Sequence, residues 1–547
     1  MYKSLIFTII AVAVALFAQT RAPATVDLAQ VDKIFARWNA SMPGCAVGVA
    51  VDGKPELAKA YGMADLERDV KNTPETIFEA GSVSKQFTAA SVLLLARDGK
   101  LSLDDPVRKY IPELPDYGEP LRIRHMLTHT SGLRDWGNIE AIAGWPRTSR
   151  VYTHAHVLEI VARQKSLNFP PGTRWSYSNS GYNLSAILVS RVSGMPFAEF
   201  TRQRLFVPLG LTHTSWRDDH TRIVRNRAIA YNDARDGLHI EMPFENVHGN
   251  GGLLTTVGDL LTWSGHYDTP RAEDRAIVAE QQEPGRFSDG RAHEYGLGLY
   301  VRRYKGVRQV DHSGSTAGYR ADLARYPDQY LSVAVLCNAS SAQATQYGRA
   351  VADLYLGDRI TATGAPQSAY AASEADLAAA AGVYRNAGRG TAVTVTRDQS
   401  GLSAGRGQRL VPMSATRFVT ASGQTWELNG RGTRITDAFG RVDTLERTAT
   451  PKPTADELRP LAGVYASDEA ETMLTVAVEG DALVIKRRPD TTFRLTPLYP
   501  DAFAAAQLGT IVFRRDGGGR VNALSVIEDR VWDLRFARQP ARATGSQ

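Results

Sequence analysis

The last third of this 547-residue chain repeats itself, and the repeat limits the folds that this part can adopt. The tetrapeptide Ala-Gly-Val-Tyr begins at Ala381 and again at Ala462, and Leu402 recurs as Leu483, both 81 residues apart. Leu410, Pro412 and Phe418 then recur as Leu495, Pro497 and Phe503, each 85 residues apart. Both copies alternate apolar and polar residues between Gly- and Asp-containing turns, as small antiparallel barrels do. We therefore predict two β-barrel domains, at residues 372–449 and 455–541.

The second copy of the repeat is longer than the first by four residues, all between Leu483 and Leu495. Residues 484–493 in this interval contain three basic residues and Asp490, and we predict an enlarged hairpin tip there. A longer loop that adds nothing to a barrel can serve function, whereas a charged turn is more often simply solvated. Both interpretations stay open from the sequence.

The first part of the chain has strands at both of its ends and helices between them. The predicted elements are strands within 44–65, a helix over 82–98, helical pieces across 100–285, strands within 295–338 and a closing helix over 342–355. This order is typical of an α/β domain in which helices flank an antiparallel sheet. We place this domain at residues 26–360.

Residues 1–22 have the pattern of a secretory signal peptide, in which Lys3 precedes a short apolar run and small residues follow it. The run is too short for a typical membrane span, and an uncleaved anchor is the alternative interpretation. No later stretch is long and apolar enough to cross a bilayer. We predict a periplasmic or secreted protein with no stable membrane span after removal of the signal.

The net charge of +6 is modest, and the basic residues are spread along the chain. Nucleic acid is therefore not a predicted partner. His154 and His156 have no third candidate ligand nearby, so we predict no metal site, and no cofactor is expected.

Ser82 and Lys85 form the motif S-x-x-K at the start of the predicted helix. Residues three apart on a helix share one face, so the serine oxygen and the lysine nitrogen can come within hydrogen-bond reach. A serine is a poor nucleophile until a base takes its proton, and a desolvated lysine can be that base. The motif alone is weak, because S-x-x-K also arises by chance at polar helix starts.

Two further motifs follow in order. Tyr-Ser-Asn at 177–179 lies 95 residues after Ser82, and His-Ser-Gly at 312–314 lies 135 residues after Tyr177. Each of these residues alone is more often structural, but together they indicate a catalytic site. The chain has no G-x-S-x-G elbow, which argues against an α/β-hydrolase.

In this order the motifs resemble S-x-x-K, Y-x-N and H/K-x-G of the serine β-lactamase-like hydrolases, a family that includes class C β-lactamases, penicillin-binding proteins and related esterases. Stretches at 125–133, 251–256 and 295–299 extend the resemblance over roughly residues 28–360. A hydrolase domain followed by two lipocalin-like barrels, with a loop of the second barrel at the active site, resembles the D-aminopeptidases. The resemblance implies a β-lactamase/transpeptidase-like fold.

The resemblance also implies a role for each motif residue. Ser82 is the nucleophile that forms an acyl-enzyme, and Lys85 or Tyr177 moves its proton. A tyrosine serves as a base near neutral pH only beside a cation, which Lys85 can supply. Asn179 orients Lys85 or binds the substrate carbonyl, and His312 completes the polar network beside Tyr177.

Two residues near the third motif are implied to contact substrate. Gly314 leaves room for the substrate against its strand. The backbone N–H groups of Ser82 and Ser315 form the oxyanion hole, since the developing charge needs fixed donors.

The substrate class depends on the charged and aromatic groups near the site. A family carboxypeptidase that also has histidine in the third motif has an arginine where this chain has Tyr300, which argues against carboxypeptidase activity, although Arg302 and Arg303 lie nearby. A substrate with a free N-terminus instead needs an acid, for which Asp490 and Asp135 are the candidates.

The two cysteines, Cys45 and Cys337, lie in strand-like apolar runs. In the resembling fold the first and last strands are neighbours in one sheet, so a cross-strand disulfide can form after export. We nevertheless expect two buried free thiols.

The favoured function is an exported serine hydrolase that acts through an acyl-enzyme on Ser82 and cleaves amide bonds of peptides containing D-amino acids. An esterase or a class C-type β-lactamase is the first alternative. A penicillin-binding sensor with little turnover is the second. The expected partners are a small peptide, amide or ester substrate, and β-lactams as acylating ligands.

Overall fold

The computed structural model describes residues 26–361, 370–399, 401–405, 407–437 and 441–540. The predicted signal peptide at residues 1–22 lies outside the described residues. Among the helices of the described ranges, none combines the length and the apolar character needed to cross a bilayer.

The first domain is built from short strands and helices in the predicted order. Its strands are β1 (Cys45–Val51), β2 (Lys54–Tyr61), β3 (Met63–Asp65), β4 (Val70–Lys71), β5 (Phe78–Glu79), β6 (Ser215–Trp216), β7 (Tyr231–Ala234), β8 (Gly237–Ile240), β9 (Leu253–Thr255), β10 (Gly285–Arg286), β11 (Ala292–His293), β12 (Tyr300–Tyr304), β13 (Val307–Thr316), β14 (Tyr319–Tyr326) and β15 (Leu331–Cys337). Its helices are α1 (Leu28–Ile34), α2 (Ser84–Arg97), α3 (Ile123–Leu127), α4 (Trp136–Ala143), α5 (His154–Ala162), α6 (Asn179–Ser193), α7 (Phe197–Thr201), α8 (Val207–Leu209), α9 (Val257–Asp268), α10 (Arg275–Gln281) and α11 (Ala344–Leu356).

The main sheet of this domain is antiparallel, with the strand order β12-β13-β14-β15-β1-β2. Alternate side chains of β15 enter different cores: Ala334 and Leu336 belong to the core that contains α9, whereas Val333 and Val335 belong to the core that contains α1 and α11. Because helices cover both faces, these strands read as continuous apolar runs in the sequence. The predicted fold class is confirmed.

Two closed eight-stranded antiparallel barrels follow, as the repeat predicts. The first comprises β16 (Gly382–Arg385), β17 (Ala392–Asp398), β18 (Gly401–Ala404), β19 (Gln408–Pro412), β20 (Arg417–Val419), β21 (Thr425–Leu428), β22 (Gly432–Thr436) and β23 (Val442–Thr448). The second comprises β24 (Gly463–Ser467), β25 (Thr472–Glu479), β26 (Ala482–Arg487), β27 (Thr491–Tyr499), β28 (Ala502–Ala505), β29 (Gly509–Arg515), β30 (Val521–Ile527) and β31 (Leu534–Arg538). Helices α12 (Glu374–Ala380) and α13 (Ala455–Leu458) precede the two barrels.

The tyrosine that recurs in the repeat makes the same contact in both barrels. The Tyr384 hydroxyl donates to Ala380 O at 2.8 Å, and the Tyr465 hydroxyl donates to Leu461 O at 2.7 Å. Both side chains are fully buried, so each phenol needs a partner inside the protein. The repeat therefore marks an equivalent structural position in each barrel.

The second barrel shares a hydrophobic core with the first domain, whereas the first barrel has a core of its own. Arg134, just before α4, pairs with Glu469 at 2.8 Å and donates to Asp533 O at 3.1 Å. Arg134 is almost completely buried, and a buried charge is stable only with such partners. These contacts fix the second barrel against the helical half of the first domain.

The two cysteines are bonded to each other. Cys45 on β1 lies directly opposite Cys337 on β15 in the sheet register, and the two form a disulfide with Cα atoms 4.0 Å apart. The expectation of two free thiols is wrong. The resemblance implies neighbouring strands, but the residues that face each other depend on register, which a one-residue slip would change.

Replacing both Cys45 and Cys337 by alanine should lower the midpoint of thermal unfolding, because the bond closes a chain segment of 292 residues and restricts the unfolded state. We expect the free energy of unfolding to fall by about 2–5 kcal/mol. Dithiothreitol should bring the wild-type midpoint to that of the double variant and leave the variant unchanged. A fully reduced wild type with an unchanged midpoint would contradict this prediction.

Candidate active site

Ser82 lies in a short 3-10 turn, Gly81–Val83, that leads directly into α2. The Ser84 hydroxyl fixes this turn, because it donates to Gly81 O at 2.5 Å and accepts from Leu253 N at 3.1 Å. The rest of α2 is buried almost to its end. Ser82 itself remains partly exposed, at the start of a helix held firmly in the core.

Lys85 follows one helical turn after Ser82 and is completely buried. Its Nζ donates to Ser82 Oγ at 3.0 Å, to Asn179 Oδ1 at 2.9 Å and to the carbonyl of Asn250 at 2.6 Å. Burial, and then the nearby charge of Arg530, holds the pKa of Lys85 well below its usual value. A neutral amine at this position can accept the proton of Ser82.

Tyr177 hydrogen-bonds the same serine and lies beside Lys85. Burial raises the pKa of Tyr177 above its usual value, and the hydrogen bond with Ser82 offsets part of that increase. Lys85 Nζ lies 4.8 Å from the centre of the Tyr177 ring, and the ring of His129 packs 4.2 Å from it. The structure therefore brings two groups that can accept a proton to one serine hydroxyl.

His312, on β13, lines the cavity that also contains Ser82 and Tyr177. Its ring nitrogens are hydrogen-bonded to Tyr295 and Ser313 and not to Tyr177. Its Nε2 lies 2.9 Å from the hydroxyl of Tyr295, and its Nδ1 lies 2.6 Å from the carbonyl of Ser313. Since a carbonyl only accepts, Nδ1 carries the proton and Nε2 accepts from Tyr295. Burial lowers the pKa of His312 to about 3, so the imidazole is neutral near neutral pH.

Two glycines allow β13 to approach the serine turn closely. A Cβ on Gly314 would lie 2.0 Å from Ala80 O, and a Cβ on Gly81, whose φ is +50°, would lie 2.6 Å from Ser315 N. Only glycine fits at either position without a backbone shift. The close approach brings Ser82 and Ser315 into the lining of one cavity, where their N–H groups can stabilise an oxyanion.

Asp135, a predicted candidate for binding a substrate amine, is a capping residue. One carboxylate oxygen accepts from the N–H groups of Gly137 and Asn138 at the start of α4, and the other accepts from Asn179 N at 2.7 Å. Asp135 is buried, and it is not among the described residues that line the cavity. The prediction is wrong, because the carboxylate is already filled by backbone donors. Asp135 instead positions Asn179, which in turn holds Lys85.

Asp490 lies away from the cavity as well. The turn that carries it, between β26 and β27, docks on the end of α4: Arg488 Nε donates to Ala143 O at 2.8 Å, and Arg487 donates to Ala141 O. Carbonyls at a helix C-terminus lack partners within the helix and attract cations. None of the described residues of this turn lines the cavity. The interpretation of this turn as an active-site loop is wrong, and the turn is a docking contact.

A different segment of the second barrel reaches the site. The loop between β30 and β31 contributes Asp529 and Arg530 to the cavity lining, and the Arg530 guanidinium carbon lies 4.7 Å from the centre of the Tyr177 ring. The sequence prediction missed both residues, because it relied on the difference in length between the two repeats. The available signal is the run Glu-Asp-Arg between two strand-like segments.

The cavity has a volume of about 910 Å³ and lies where the first domain meets the second barrel. The predicted site residues in its lining are Ser82, Tyr177, Asn179, Tyr300, His312, Gly314 and Ser315. Tyr300 packs edge-on against Tyr295, with ring centres 4.7 Å apart, and burial raises the pKa of Tyr300 to about 12. The phenol is therefore neutral and contributes an aromatic surface.

The charged residues that line the cavity within the described ranges are mostly basic. They are Arg147, Arg320, Arg349, Arg530 and Asp529. Arg147 is paired with Glu245, so its charge is largely balanced. No group of three or more His, Cys, Asp or Glu side chains in the described part of the chain is arranged to hold a metal ion.

A family model described as Beta-lactamase matches residues 30–356, more than half of the chain. The chain belongs to the beta-lactamase family. The matched range runs from α1 to the end of α11, so it contains all three motifs and the main sheet. As a member of this family with a serine held by a buried lysine, the protein is a serine hydrolase, as predicted.

Known relatives extend the similarity into the barrels. A D-aminopeptidase of Brucella ovis is 26% identical over 505 residues, which cover 88% of this chain and 93% of the relative. An octameric penicillin-binding protein homologue from Pyrococcus abyssi aligns with a TM-score of 0.55 and 23% identity over 77% of this chain and 100% of its own. The structure of SurE aligns with a TM-score of 0.52 and 21% identity over 93% of this chain and 98% of its own. These two structures show the shared fold.

Substituting Gly314 by alanine should lower kcat about 100-fold, because the added Cβ pushes β13 away from Ala80 and separates the two N–H donors. Hydrolysis of p-nitrophenyl butyrate, with circular dichroism to verify folding, measures the effect. Gly265→Ala, in α9 where a Cβ meets open space, is the matched control and should keep full activity. Wild-type activity in Gly314→Ala would refute the proposed oxyanion hole.

Proposed function

We propose that this hydrolase removes an N-terminal D-amino acid from small peptides or amides through an acyl-enzyme on Ser82. The arrangement around that hydroxyl carries the proposal: Lys85 and Tyr177 both hydrogen-bond it, and Ser315 N faces its turn. The substrate class is supported by the similarity to the D-aminopeptidase of Brucella ovis, which covers the barrels as well as the family domain.

In the proposed reaction Ser82 Oγ gives its proton to Lys85 or Tyr177 and attacks the substrate carbonyl carbon. The negative charge that develops on the carbonyl oxygen is stabilised by the N–H groups of Ser82 and Ser315. The proton passes to the leaving amine as the C–N bond breaks. A water molecule, deprotonated by the same base, then attacks the ester, and Ser82 recovers its proton as the acid leaves.

A free substrate amine requires a negative partner. Asp529 is the acidic residue that the described part of the chain contributes to the cavity lining, and it is exposed. We propose that Asp529 takes the role that the sequence assigned to Asp490 or Asp135.

We also propose export to the periplasm or the medium. The predicted signal peptide motivates this proposal, and the Cys45–Cys337 disulfide supports it, because such bonds persist in oxidising compartments and are rare in reducing ones.

A β-lactam is a second candidate ligand or substrate. The unbalanced arginines of the cavity favour a ligand with a carboxylate, which β-lactams carry. If the β-lactam acyl-enzyme on Ser82 hydrolyses slowly, the protein would act as a sensor. If it hydrolyses rapidly, the protein would act as a β-lactamase.

The wild type should hydrolyse D-Ala-p-nitroanilide, and Ser82→Ala should lose at least about 1,000-fold of that activity, because the nucleophile is gone. L-Ala-p-nitroanilide, nitrocefin and p-nitrophenyl butyrate complete the substrate panel. Intact-mass spectrometry after β-lactam exposure should detect an adduct on the wild type alone.

Ser193→Ala, at the far end of α6, is the matched serine control and should keep the wild-type rates on every substrate. Ester hydrolysis without amide hydrolysis would reject the peptidase proposal in favour of an esterase. Full activity of Ser82→Ala would reject the assigned nucleophile.

Asp529→Asn should lower kcat/KM for D-Ala-p-nitroanilide by about tenfold, because a charge-assisted hydrogen bond to the substrate ammonium is lost. The same variant should hydrolyse p-nitrophenyl butyrate, which has no amine, at the wild-type rate. Asp516→Asn, on an exposed hairpin of the same barrel, controls for loss of surface charge. An equal loss on both substrates would contradict the amine-binding role.

A further inference from the structure

The loop between β30 and β31 is held against the first domain by its backbone. The carbonyl of Arg530 accepts from Asp135 N at 3.2 Å and from Asn168 Nδ2 at 3.0 Å. Asn168 Oδ1 accepts in turn from Trp532 N at 2.8 Å, and Asn138 Nδ2 donates to Glu528 Oε2 at 2.9 Å. Four hydrogen bonds, three of them to backbone atoms of the loop, therefore hold residues 528, 530 and 532 against the first domain.

With its backbone held, Arg530 lies over the active-site tyrosine. The guanidinium carbon is 4.7 Å from the centre of the Tyr177 ring, and the described residues give Arg530 no carboxylate partner. A cation over an aromatic face is attracted by the ring, so this position is favourable in itself. Lys85 Nζ lies 4.8 Å from the centre of the same ring.

Two groups of the first domain that lie close to Lys85 and Tyr177 contribute little unbalanced positive charge. The third motif has His312, which burial keeps neutral, and Arg147 is paired with Glu245. The unpaired guanidinium that lies over Tyr177 is therefore supplied by the second barrel.

We propose that Arg530 is a positioning residue of the second barrel whose fixed charge favours the deprotonated form of the Lys85–Tyr177 pair, so that the second barrel completes the active centre. This inference rests on the proposed function in one respect, because it takes Ser82 as the nucleophile that the pair deprotonates.

The physical basis is the same whichever residue is the base. A nearby cation makes a protonated amine less favourable and a phenolate more favourable, and water screens the interaction less in a partly buried site than in bulk solvent. Arg530 accordingly acts to lower the pKa of both Lys85 and Tyr177, in addition to the larger effect of burial on each.

Other charged and titratable groups act on or lie close to this pair. From the neighbouring elements they are Asp135 before α4, Arg147 after α4, His129 after α3, Tyr182 on α6, Tyr300 on β12 and His312 on β13. Asp135 raises the pKa of Lys85, and Arg147 lowers it. Burial keeps both His129 and His312 neutral. Arg530 remains the unpaired cation in this group.

The test compares Arg530→Met with Arg530→Lys, which keeps the charge. The pH dependence of kcat/KM for p-nitrophenyl butyrate and of Ser82 labelling by a fluorophosphonate probe are the two readouts. Without the cation the pKa of the base is higher. In Arg530→Met the acid limb of both pH profiles should therefore move up by about one pH unit, and the rates at pH values below that limb should fall about tenfold. Arg530→Lys should keep the limb within about 0.3 unit of the wild type.

Arg520→Met removes the same charge from an exposed hairpin of the same barrel and should leave the profile unchanged. Asn168→Ala keeps Arg530 but removes two bonds of its loop, so its limb should move in the same direction by a smaller amount. This variant tests the inference even if Arg530→Met does not fold.

An unshifted limb in Arg530→Met and Asn168→Ala would overturn the inference. An equal loss of rate at every pH in Arg530→Met and Arg530→Lys would overturn it too, since that pattern indicates a purely structural role. If the probe labels Ser82→Ala, or fails to label the wild type, the nucleophile assignment and with it the proposed function fail.

Discussion

The buried amine of Lys85 is the constraint on which the rest of the site depends. A lysine with no exposure to water needs an acceptor for each of its donors, and here three different segments provide them: the serine turn, the start of α6 and the strand-leading segment at Asn250. Those segments belong to parts of the chain far apart in sequence. The same burial that demands these partners also lowers the pKa of the amine, which favours the neutral form that can accept a proton.

The three short motifs predicted correctly which residues meet at the site where the contacts are set by local structure. Ser82 and Lys85 meet because a helix brings positions three apart together, and Tyr177 and Asn179 join them at the start of α6. Two of the three mispredicted features depend on long-range packing, and the third depends on a local helix start. The Cys45–Cys337 pairing is set by strand register, and the position of the turn between β26 and β27 is set by docking between domains. The Asp135 carboxylate instead accepts from N–H groups at the start of the helix that follows it.

The two barrels arise from one repeat, but they relate to the hydrolase domain differently. The second is continuous with the helical core of the first domain and is joined to it by the buried Arg134–Glu469 pair, whereas the first keeps a separate core. The recurring tyrosines show that the repeat encodes how each barrel is built. Contacts with the active site are encoded separately, in the loop residues that the two copies do not share.

The disulfide between β1 and β15 has a consequence for what a protease can do to the folded protein. It joins the first and last strands of the main sheet and so turns the segment between them into a covalent ring. A single cut in any exposed loop of that ring leaves the two fragments linked, with both still paired in the central sheet. The helices that carry Ser82, Lys85 and Asn179 all lie within this ring, so one cleavage does not release them from each other.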